Sequence, residues 1–258
     1  MPLTWLPFHG APLFTHARTA GVAISMQLQA LARTAVAAPQ PQSASVLCAL
    51  WEHPKARRSM GIPLFWRGLH SLLHNDQKSI STRILALCDQ PRATPVNLAS
   101  CSTLHSPDLI VVAGHGFAAR RGIQLAGNTG ESAGELWRGN GDFKNCGLLV
   151  LLACSMGRLH QQSQTEVDGI YASILAHGGR SLIAPRWDVD DLFSAAFILE
   201  FLNSLPQDLR QISNSPCGPV FNNVRKAAWR RWLCSQPTPA PDKVCCHHTI
   251  SAFEFFGW

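Results

Sequence analysis

No apolar run in this sequence is long enough to span a bilayer as a helix. The longest run, Leu148 to Cys154, contains seven residues, whereas a transmembrane helix needs about 20. Charge is also scarce, since 15% of the residues are charged and 46% are hydrophobic. We therefore expect a globular chain with a large buried core and no membrane partner, and we interpret the longest run as a buried strand.

Features of nucleic-acid-binding and secreted proteins are also missing. The net charge of +6 comes from small basic clusters without interleaved aromatic residues, so we expect solvated faces and no direct nucleic-acid partner. The segment from Met1 to Phe8 has none of the basic residues of a secretory leader. Nine cysteines at irregular spacings, in a chain too long to need disulfide staples, indicate free thiols and a cytoplasmic location.

The chain from Ser45 onward alternates apolar runs with helix-like stretches. This alternation predicts an α/β fold, in which a mostly parallel central sheet is flanked by helices. The predicted strands are Val46 to Trp51, Leu109 to Ala113, Leu148 to Leu152, Ser181 to Ala184 and Phe253 to Trp258. The predicted helices are Pro63 to His74, Val167 to His177, Asp191 to Leu205 and Val220 to Leu233, with Gly178 and Gly179 as a helix stop.

Residues 1–43 differ from the remainder of the chain in sequence pattern. A start punctuated by proline and histidine leads into a helix predicted over Gly21 to Ala37, which ends at the breaker Pro39-Gln40-Pro41-Gln42. We therefore predict an N-terminal helical extension over residues 1–43 and a single α/β domain over residues 44–258.

Two of the predicted strands end in residues that can perform chemistry. The strand Leu109 to Ala113 leads through Gly114 into His115, and the strand Leu148 to Leu152 leads through Ala153 into Cys154. In open parallel sheets, ligands bind beyond the carboxyl ends of the strands. The intervening chain is long enough for a hairpin around Gly122 to Gly127 and a return to a neighbouring strand, so the two strand ends can be adjacent.

A histidine beside a cysteine is the pair that thiol-based acyl transfer requires. The imidazole promotes formation of the thiolate, which attacks a carbonyl carbon, and the resulting imidazolium protonates the leaving amine. The backbone N–H groups of Gly116 and Cys154 are candidates for an oxyanion hole. No acidic third member is evident, and this chemistry needs no cofactor.

Less specific interpretations exist for each residue alone. A single cysteine after an apolar strand is usually an inert core residue, and a His-Gly pair is usually a turn. The two residues at equivalent strand ends form a much more specific pattern. The run Cys245-Cys246-His247-His248 contains metal-ligand types, but adjacent residues on an extended chain point to opposite faces and cannot close one tetrahedral site. We predict no metal.

These strand ends resemble the two catalytic blocks of the caspase-like clan of cysteine peptidases, in particular CHAT-domain peptidases and their relative separase. The resemblance covers the chain from about Ser45 to its end. It departs from the family pattern between Met60 and His105, and at Pro185-Arg186, where small or apolar residues are usual. The segments that carry the resemblance are Val111 to Gly116, Leu149 to Ser155, Asp168 to Gly179, Ser181 to Asp191 and Ile250 to Trp258.

The resemblance implies a caspase-like sandwich and a cysteine endopeptidase that acts on a protein or peptide substrate through a thioester. It also implies control by a separate regulatory protein, for which residues 1–43 are the candidate docking segment. The alternative function is a catalytically silent caspase-like scaffold that binds partners. A different thiol hydrolase or an amidotransferase-like enzyme lacks support, because no Gly-x-Ser-x-Gly-type elbow surrounds Cys154.

Substrate selection is expected in the acidic segment that follows Trp187. By resemblance to separase, Asp188 is the candidate that reads a basic residue before the scissile bond, through a charge-assisted hydrogen bond. Trp187 would offer an apolar wall, and Asp190 would share the face of Asp188 because side chains alternate along an extended segment. Asp191 is then expected to cap the following helix. Arg186 keeps open the opposite preference, for an acidic residue as in caspases.

Overall fold

The computed structural model describes the chain in segments, which contain most of the predicted core. Among these residues, no helix has both the length and the apolar character needed to cross a membrane. The described segments are residues 7–8, 11–12, 44–51, 61–74, 82–87, 93–117, 122–125, 131–132, 146–155, 157, 160–161, 167–168, 174, 178–206, 209–213, 217–233 and 248–257.

A six-stranded sheet forms the centre of the molecule. Its strands lie in the order β13-β12-β9-β5-β3-β4, and all neighbours are parallel except β12 and β13. The prediction of an α/β fold with a mostly parallel central sheet is therefore confirmed. These strands are β3 (Ala44–Leu50), β4 (Thr82–Leu87), β5 (Leu109–Ala113), β9 (Leu148–Leu152), β12 (Leu182–Pro185) and β13 (Phe253–Phe256).

Smaller strands pair outside the central sheet. A three-stranded antiparallel sheet of β6, β7 and β8 lies in the connection between β5 and β9, which contains the predicted hairpin. Two further antiparallel pairs are β1 with β2 and β10 with β11. Their bounds are β1 (Pro7–Phe8), β2 (Ala11–Pro12), β6 (His115–Phe117), β7 (Gly122–Gln124), β8 (Glu131–Ser132), β10 (His160–Gln161) and β11 (Val167–Asp168).

Helices cover both faces of the central sheet. One face packs against α1, α3 and α4, and the other packs against α2 and the β7 region. Parallel sheets are normally covered on both sides, which is why their strands are almost continuously apolar. The helices are α1 (Gly61–Leu73), α2 (Pro95–His105), α3 (Asp191–Asn203) and α4 (Cys217–Leu233), with a 3₁₀ helix at Leu209–Ser213 and one helical turn over residues 248–252.

Helices α1 and α3 pack closely along their length. A Cβ atom built on Gly68 would lie 2.5 Å from Leu199 Cδ1, and one built on Gly61 would lie 2.5 Å from Asp191 Cβ. Glycine at these positions lets the two helices approach more closely than side chains would allow. The first turns of α1 and α3 consequently lie side by side, at the same end of the sheet.

Some elements differ from the sequence-based expectations. Strand β4 and helix α2 fall in the segment that matched the family poorly, and neither was predicted. Val167 and Asp168 pair as a strand with His160–Gln161, so the predicted helix cannot begin at Val167. Most of that helix and the predicted helix over Gly21 to Ala37 lie outside the described residues. Gly178 has φ +89°, the left-handed conformation expected of the predicted helix stop.

Candidate functional site

Strands β5 and β9 place His115 and Cys154 at the same edge of the central sheet. The two strands are parallel neighbours, and their last paired residues are Ala113 and Leu152. Each candidate residue lies two positions beyond that last pair. Parallel register alone therefore carries the two residues to equivalent positions at the carboxyl ends of adjacent strands.

His115 and Cys154 also lie on the same face of the sheet. Side chains alternate along a strand, and Ala113 contributes to the core on the face covered by α1 and α3, with Leu152 packed against that core. Both His115 and Cys154 line a pocket on this side, which is bounded by Gly61 of α1 and by residues of α3. The structure thus brings the two candidate residues to one pocket.

The His115 side chain is half-buried at this pocket. Its Nε2 atom is buried and has no hydrogen-bond partner among the described residues. Buried polar atoms of native proteins are normally paired, with protein, water or a ligand. The ring therefore presents an unused nitrogen beside the pocket. No carboxylate bonded to that nitrogen is found in the described part of the chain.

The thiol of Cys154 is half-buried and makes a long contact. Its Sγ donates to the carbonyl oxygen of Val189 at 3.9 Å. Burial raises the pKa of Cys154 above its ordinary value of 9.0, and the negative charges of Asp188 and Asp191 raise it further, while a backbone hydrogen bond at Val189 lowers it. In this arrangement, the neutral thiol is favoured at neutral pH.

Ser155 forms a strained turn directly after Cys154. Its φ is +61°, in the left-handed region that side chains other than glycine rarely adopt. Two contacts stabilise the turn: the Ser155 N–H donates to the Trp187 carbonyl at 3.3 Å, and the Ser155 hydroxyl donates to Asp188 Oδ1 at 3.0 Å. Backbone strain of this kind clusters at functional sites.

Gly116 lies against the backbone of Cys154. A Cβ atom at this position would lie 2.6 Å from the Cys154 amide nitrogen and closer still to the Cys154 carbonyl oxygen. Neither backbone atom can move without shifting a strand end, so only glycine fits. The two predicted oxyanion-hole residues are thus direct neighbours.

The predicted substrate-binding residues lie in the loop before α3. Asp188 is exposed and accepts the Ser155 hydroxyl, and Trp187 donates its indole N–H to the His248 carbonyl at 3.2 Å. Asp190 caps α3, because its carboxylate accepts the N–H groups of Leu192 and Phe193 at 3.0 Å each. The prediction that Asp191 is the cap is therefore wrong.

The pocket also contains two residues that were not predicted to line it. Asp191 lines the pocket together with His115 and Cys154. Ser194, one turn further along α3, also lines it, is 4% exposed, and has a hydroxyl without a hydrogen-bond partner among the described residues. An i, i+3 spacing places Asp191 and Ser194 on one helix face, which is the signal that could have identified them.

His248 is the one described member of the Cys-Cys-His-His run. Its Nε2 lies 2.7 Å from the carbonyl oxygen of Asp188, and its ring lies 5.6 Å from the ring of Trp187. The ring is thus engaged with the loop before α3. Cys245, Cys246 and His247 lie outside the described residues.

Comparison with known proteins gives one family match. A family model for the CHAT domain matches residues 2–214. This match confirms the resemblance carried by the segments around His115 and Cys154. No curated protein is significantly similar to the sequence.

Among solved structures, chains from two crystal structures of the Saccharomyces cerevisiae separase–securin complex are similar to this chain. The chain in the 3.0 Å structure has a TM-score of 0.46 and 14% identity, and the similarity covers 84% of this chain and 12% of that chain. The chain in the 2.6 Å structure has a TM-score of 0.45 and 15% identity, with the same coverage. This protein therefore spans a small part of the length of those chains.

Proposed function

We propose that this chain, which belongs to the CHAT-domain family, is a cysteine endopeptidase with Cys154 as nucleophile and His115 as its acid/base partner. The observation that carries the proposal is that both side chains line one pocket at the ends of adjacent parallel strands. The buried, unused Nε2 of His115 supports it, because a proton-transfer group needs a free nitrogen.

The proposed reaction passes through a thioester. The Cys154 thiol loses its proton to the His115 ring, and the sulfur attacks the carbonyl carbon of the scissile peptide bond. The C–N bond then breaks, and the His115 imidazolium donates its proton to the leaving amine. Water, deprotonated by His115, attacks the thioester, which releases the carboxylate product and returns the proton to the Cys154 sulfur.

Charge develops on the substrate carbonyl oxygen during both attacks. The Gly116 and Cys154 amides are proposed as its hydrogen-bond donors, and the direct contact between the two backbones supports this. Preorganised donors of this kind typically contribute about 10²–10³ in rate per hydrogen bond.

Substrate selection is proposed to favour a basic residue before the scissile bond. The charges of Asp188 and Asp191 act on the Cys154 thiol and raise its pKa, so the entrance to the pocket is electronegative. An Arg or Lys side chain would be attracted there, with Trp187 and Asp190 in the same loop contributing the rim. A peptide library screened against wild type and Asp188→Ala tests this, and a preference for acidic residues would contradict it.

Control by a regulatory protein partner is proposed to act through residues 1–43. The raised pKa of Cys154 supports a resting state of low reactivity, which a partner could relieve. The test compares the isolated chain with one that lacks Met1 to Pro41. Full cleavage activity of the isolated chain, unchanged by the deletion, would contradict this control.

A catalytically silent scaffold is the second candidate function. The observation that favours it is that the half-buried Cys154 thiol donates to the Val189 carbonyl, and burial raises its pKa, since a neutral thiol is a poor nucleophile. A thiol-directed, peptide-based covalent probe separates the two functions. We expect the probe to label the wild type but not Cys154→Ala or His115→Ala. The matched control is Cys101→Ala, which removes a half-buried thiol on α2 and should leave the labelling of Cys154 unchanged. Labelling of Cys154 that is unchanged in His115→Ala would favour the scaffold, because the thiol would then react without an acid/base partner.

A further inference from the structure

The loop from Trp187 to Asp190 is bonded to the Cys154 turn on one side. The Trp187 carbonyl accepts the Ser155 N–H, the Asp188 carboxylate accepts the Ser155 hydroxyl, and the Val189 carbonyl accepts the Cys154 thiol. Three successive residues of the loop therefore contact the residue proposed as nucleophile or the one that follows it.

The same loop is bonded on its other side to the helical turn over residues 248–252. The Trp187 indole N–H donates to the His248 carbonyl at 3.2 Å, and the Asp190 N–H donates to the Thr249 hydroxyl at 3.4 Å. Between these two contacts, the His248 ring reaches the Asp188 carbonyl at 2.7 Å. The helical turn thus holds the loop at both ends and in the middle.

In the contact between the His248 ring and the Asp188 carbonyl, the ring must be the hydrogen-bond donor. A carbonyl oxygen can only accept a hydrogen bond, so Nε2 of His248 carries the proton and donates it. The acceptor is the carbonyl of the peptide bond that joins Asp188 to Val189. Orientation of that peptide plane in turn affects Val189, whose carbonyl contacts the Cys154 sulfur.

We propose that His248 is a positioning residue for Cys154, which acts by donating a hydrogen bond to the Asp188 carbonyl and thereby fixing the loop that lies over the thiol. This role rests on the proposed function for its effect on cleavage. Its effect on the Cys154 thiol can be measured whether or not the protein is a peptidase. His248 touches no substrate in this role, and its action passes entirely through the loop.

Loss of the donor has two opposite consequences. The loop that lies over Cys154 is held less firmly, so the thiol becomes more accessible and reacts faster with a small alkylating reagent. Peptide cleavage slows, because the nucleophile is no longer held in one orientation. We expect alkylation of Cys154 by iodoacetamide to rise about three- to tenfold and kcat to fall by a similar factor, the equivalent of one hydrogen bond.

The experiment uses the 258-residue chain and four variants of it. His248→Phe keeps a ring beside Trp187 but removes the donor, whereas His248→Gln restores an amide N–H with similar reach. Thr249→Val removes the second contact to the loop. His74→Phe is the matched control, because the His74 ring also contacts a backbone carbonyl, that of His70 at 3.0 Å, at the end of α1. Alkylation is measured by mass spectrometry as the ratio of Cys154 to Cys101 labelling.

Each outcome decides the role of His248. A raised ratio in His248→Phe, normal values in His248→Gln and His74→Phe, and an intermediate value in Thr249→Val support the proposal. An unchanged ratio in His248→Phe overturns it, as does an equal effect in His248→Gln. If the buried Cys146 and Cys217 also become labelled in His248→Phe, that variant has lost its fold. The labelling ratio in Thr249→Val then decides whether the contacts of the helical turn position Cys154. Absence of cleavage in the isolated wild type would concern the proposed peptidase function or its control by a partner, and the labelling ratio would still decide the role of His248.

Discussion

The backbone of Gly116 lies so close to Cys154 that no side chain fits between them, since a Cβ atom would lie 2.6 Å from the Cys154 nitrogen. We expect Gly116→Ala to lower the free energy of unfolding by about 1–3 kcal/mol, as overpacking against a fixed backbone does. It should also abolish cleavage, because the strand ends would be pushed apart. Chemical denaturation and a peptide-cleavage assay measure the two effects.

Gly68→Ala provides a matched control for that substitution. Its Cβ would meet the end of the flexible Leu199 side chain, 2.5 Å away, and that side chain can rotate. We expect a smaller loss of stability and normal activity. Equal loss of activity in the two variants would show that the contact between Gly116 and Cys154 has no special role.

Removing negative charge near Cys154 should make its thiol more reactive. The charge of Asp188 raises the pKa of Cys154, so Asp188→Asn should lower that pKa, and the amide oxygen can still accept the Ser155 hydroxyl. The thiolate fraction at neutral pH then increases, and alkylation should accelerate by about twofold or more. The pH dependence of Cys154 alkylation measures the shift.

Asp191→Asn should change the pKa of Cys154 in the same direction. Glu200→Gln is the control, since Glu200 is not among the charges that act on Cys154 and instead pairs with Arg231. An alkylation profile that stays unchanged in both aspartate variants would mean that these two charges do not affect the pKa of Cys154.

The buried hydroxyl of Ser194 should reduce stability in the absence of a ligand. It lines the pocket without a partner among the described residues, so Ser194→Ala removes an unpaired polar group and adds a better helix former. We expect the free energy of unfolding to rise by about 0.5–2 kcal/mol. Binding of a pocket-filling peptide aldehyde should weaken if that hydroxyl contacts the ligand.

Ser204→Ala, at the C-terminal end of α3, is the control for Ser194→Ala. The Ser204 hydroxyl donates to the Glu200 carbonyl at 2.9 Å, so its removal should not stabilise the protein. Thermal unfolding of the two variants compares them directly. Destabilisation by Ser194→Ala would show that its hydroxyl has a partner in the folded chain.

Alkaline pH should destabilise the protein through its buried thiols. Burial raises the pKa of Cys146 and of Cys217 from 9.0 to about 12. Above pH 9, the unfolded chain loses these protons and the folded chain keeps them, so stability falls by up to about 1.4 kcal/mol per pH unit for each thiol. The window is pH 9 to 10, because the lowered pKa of Arg225, about 10, acts oppositely at higher pH.

Cys146→Ala tests the contribution of one thiol. The variant should be less stable overall because a buried side chain is shortened, but its stability should decrease less steeply with pH. Urea denaturation at several pH values gives both quantities. Equal slopes in wild type and variant would show that Cys146 ionises normally in the folded chain.

The central sheet could be predicted from the sequence because its strands are buried on both faces. The predicted bounds of β5 and β9 match the observed ones, and those strands lead to His115 and Cys154. Strand β4 is a short run whose periodicity cannot distinguish a strand from a helix. Helix α2 begins with Thr94 as N-cap and Pro95 after it, a local signal that could have been used.

The surroundings of the site depend on contacts that local patterns do not contain. Asp190 and Asp191 are equally good caps by residue type, and only the geometry of the turn assigns Asp190 to the helix and Asp191 to the pocket. The contact of His248 with Asp188 joins residues 60 positions apart in the chain. A single sequence offers no means of finding such a pair.

The pocket is assembled from four segments that are far apart in the order of synthesis. Gly61, His115 and Cys154 precede Asp191 and Ser194, which form the wall opposite the strand ends. Strand β12, which pairs with β9, lies between Cys154 and α3 in the chain. A nascent chain that has emerged only as far as Cys154 therefore exposes its thiol without a binding site around it. The complete pocket can therefore form only after translation has passed α3, and any ligand that needs both walls can bind only then.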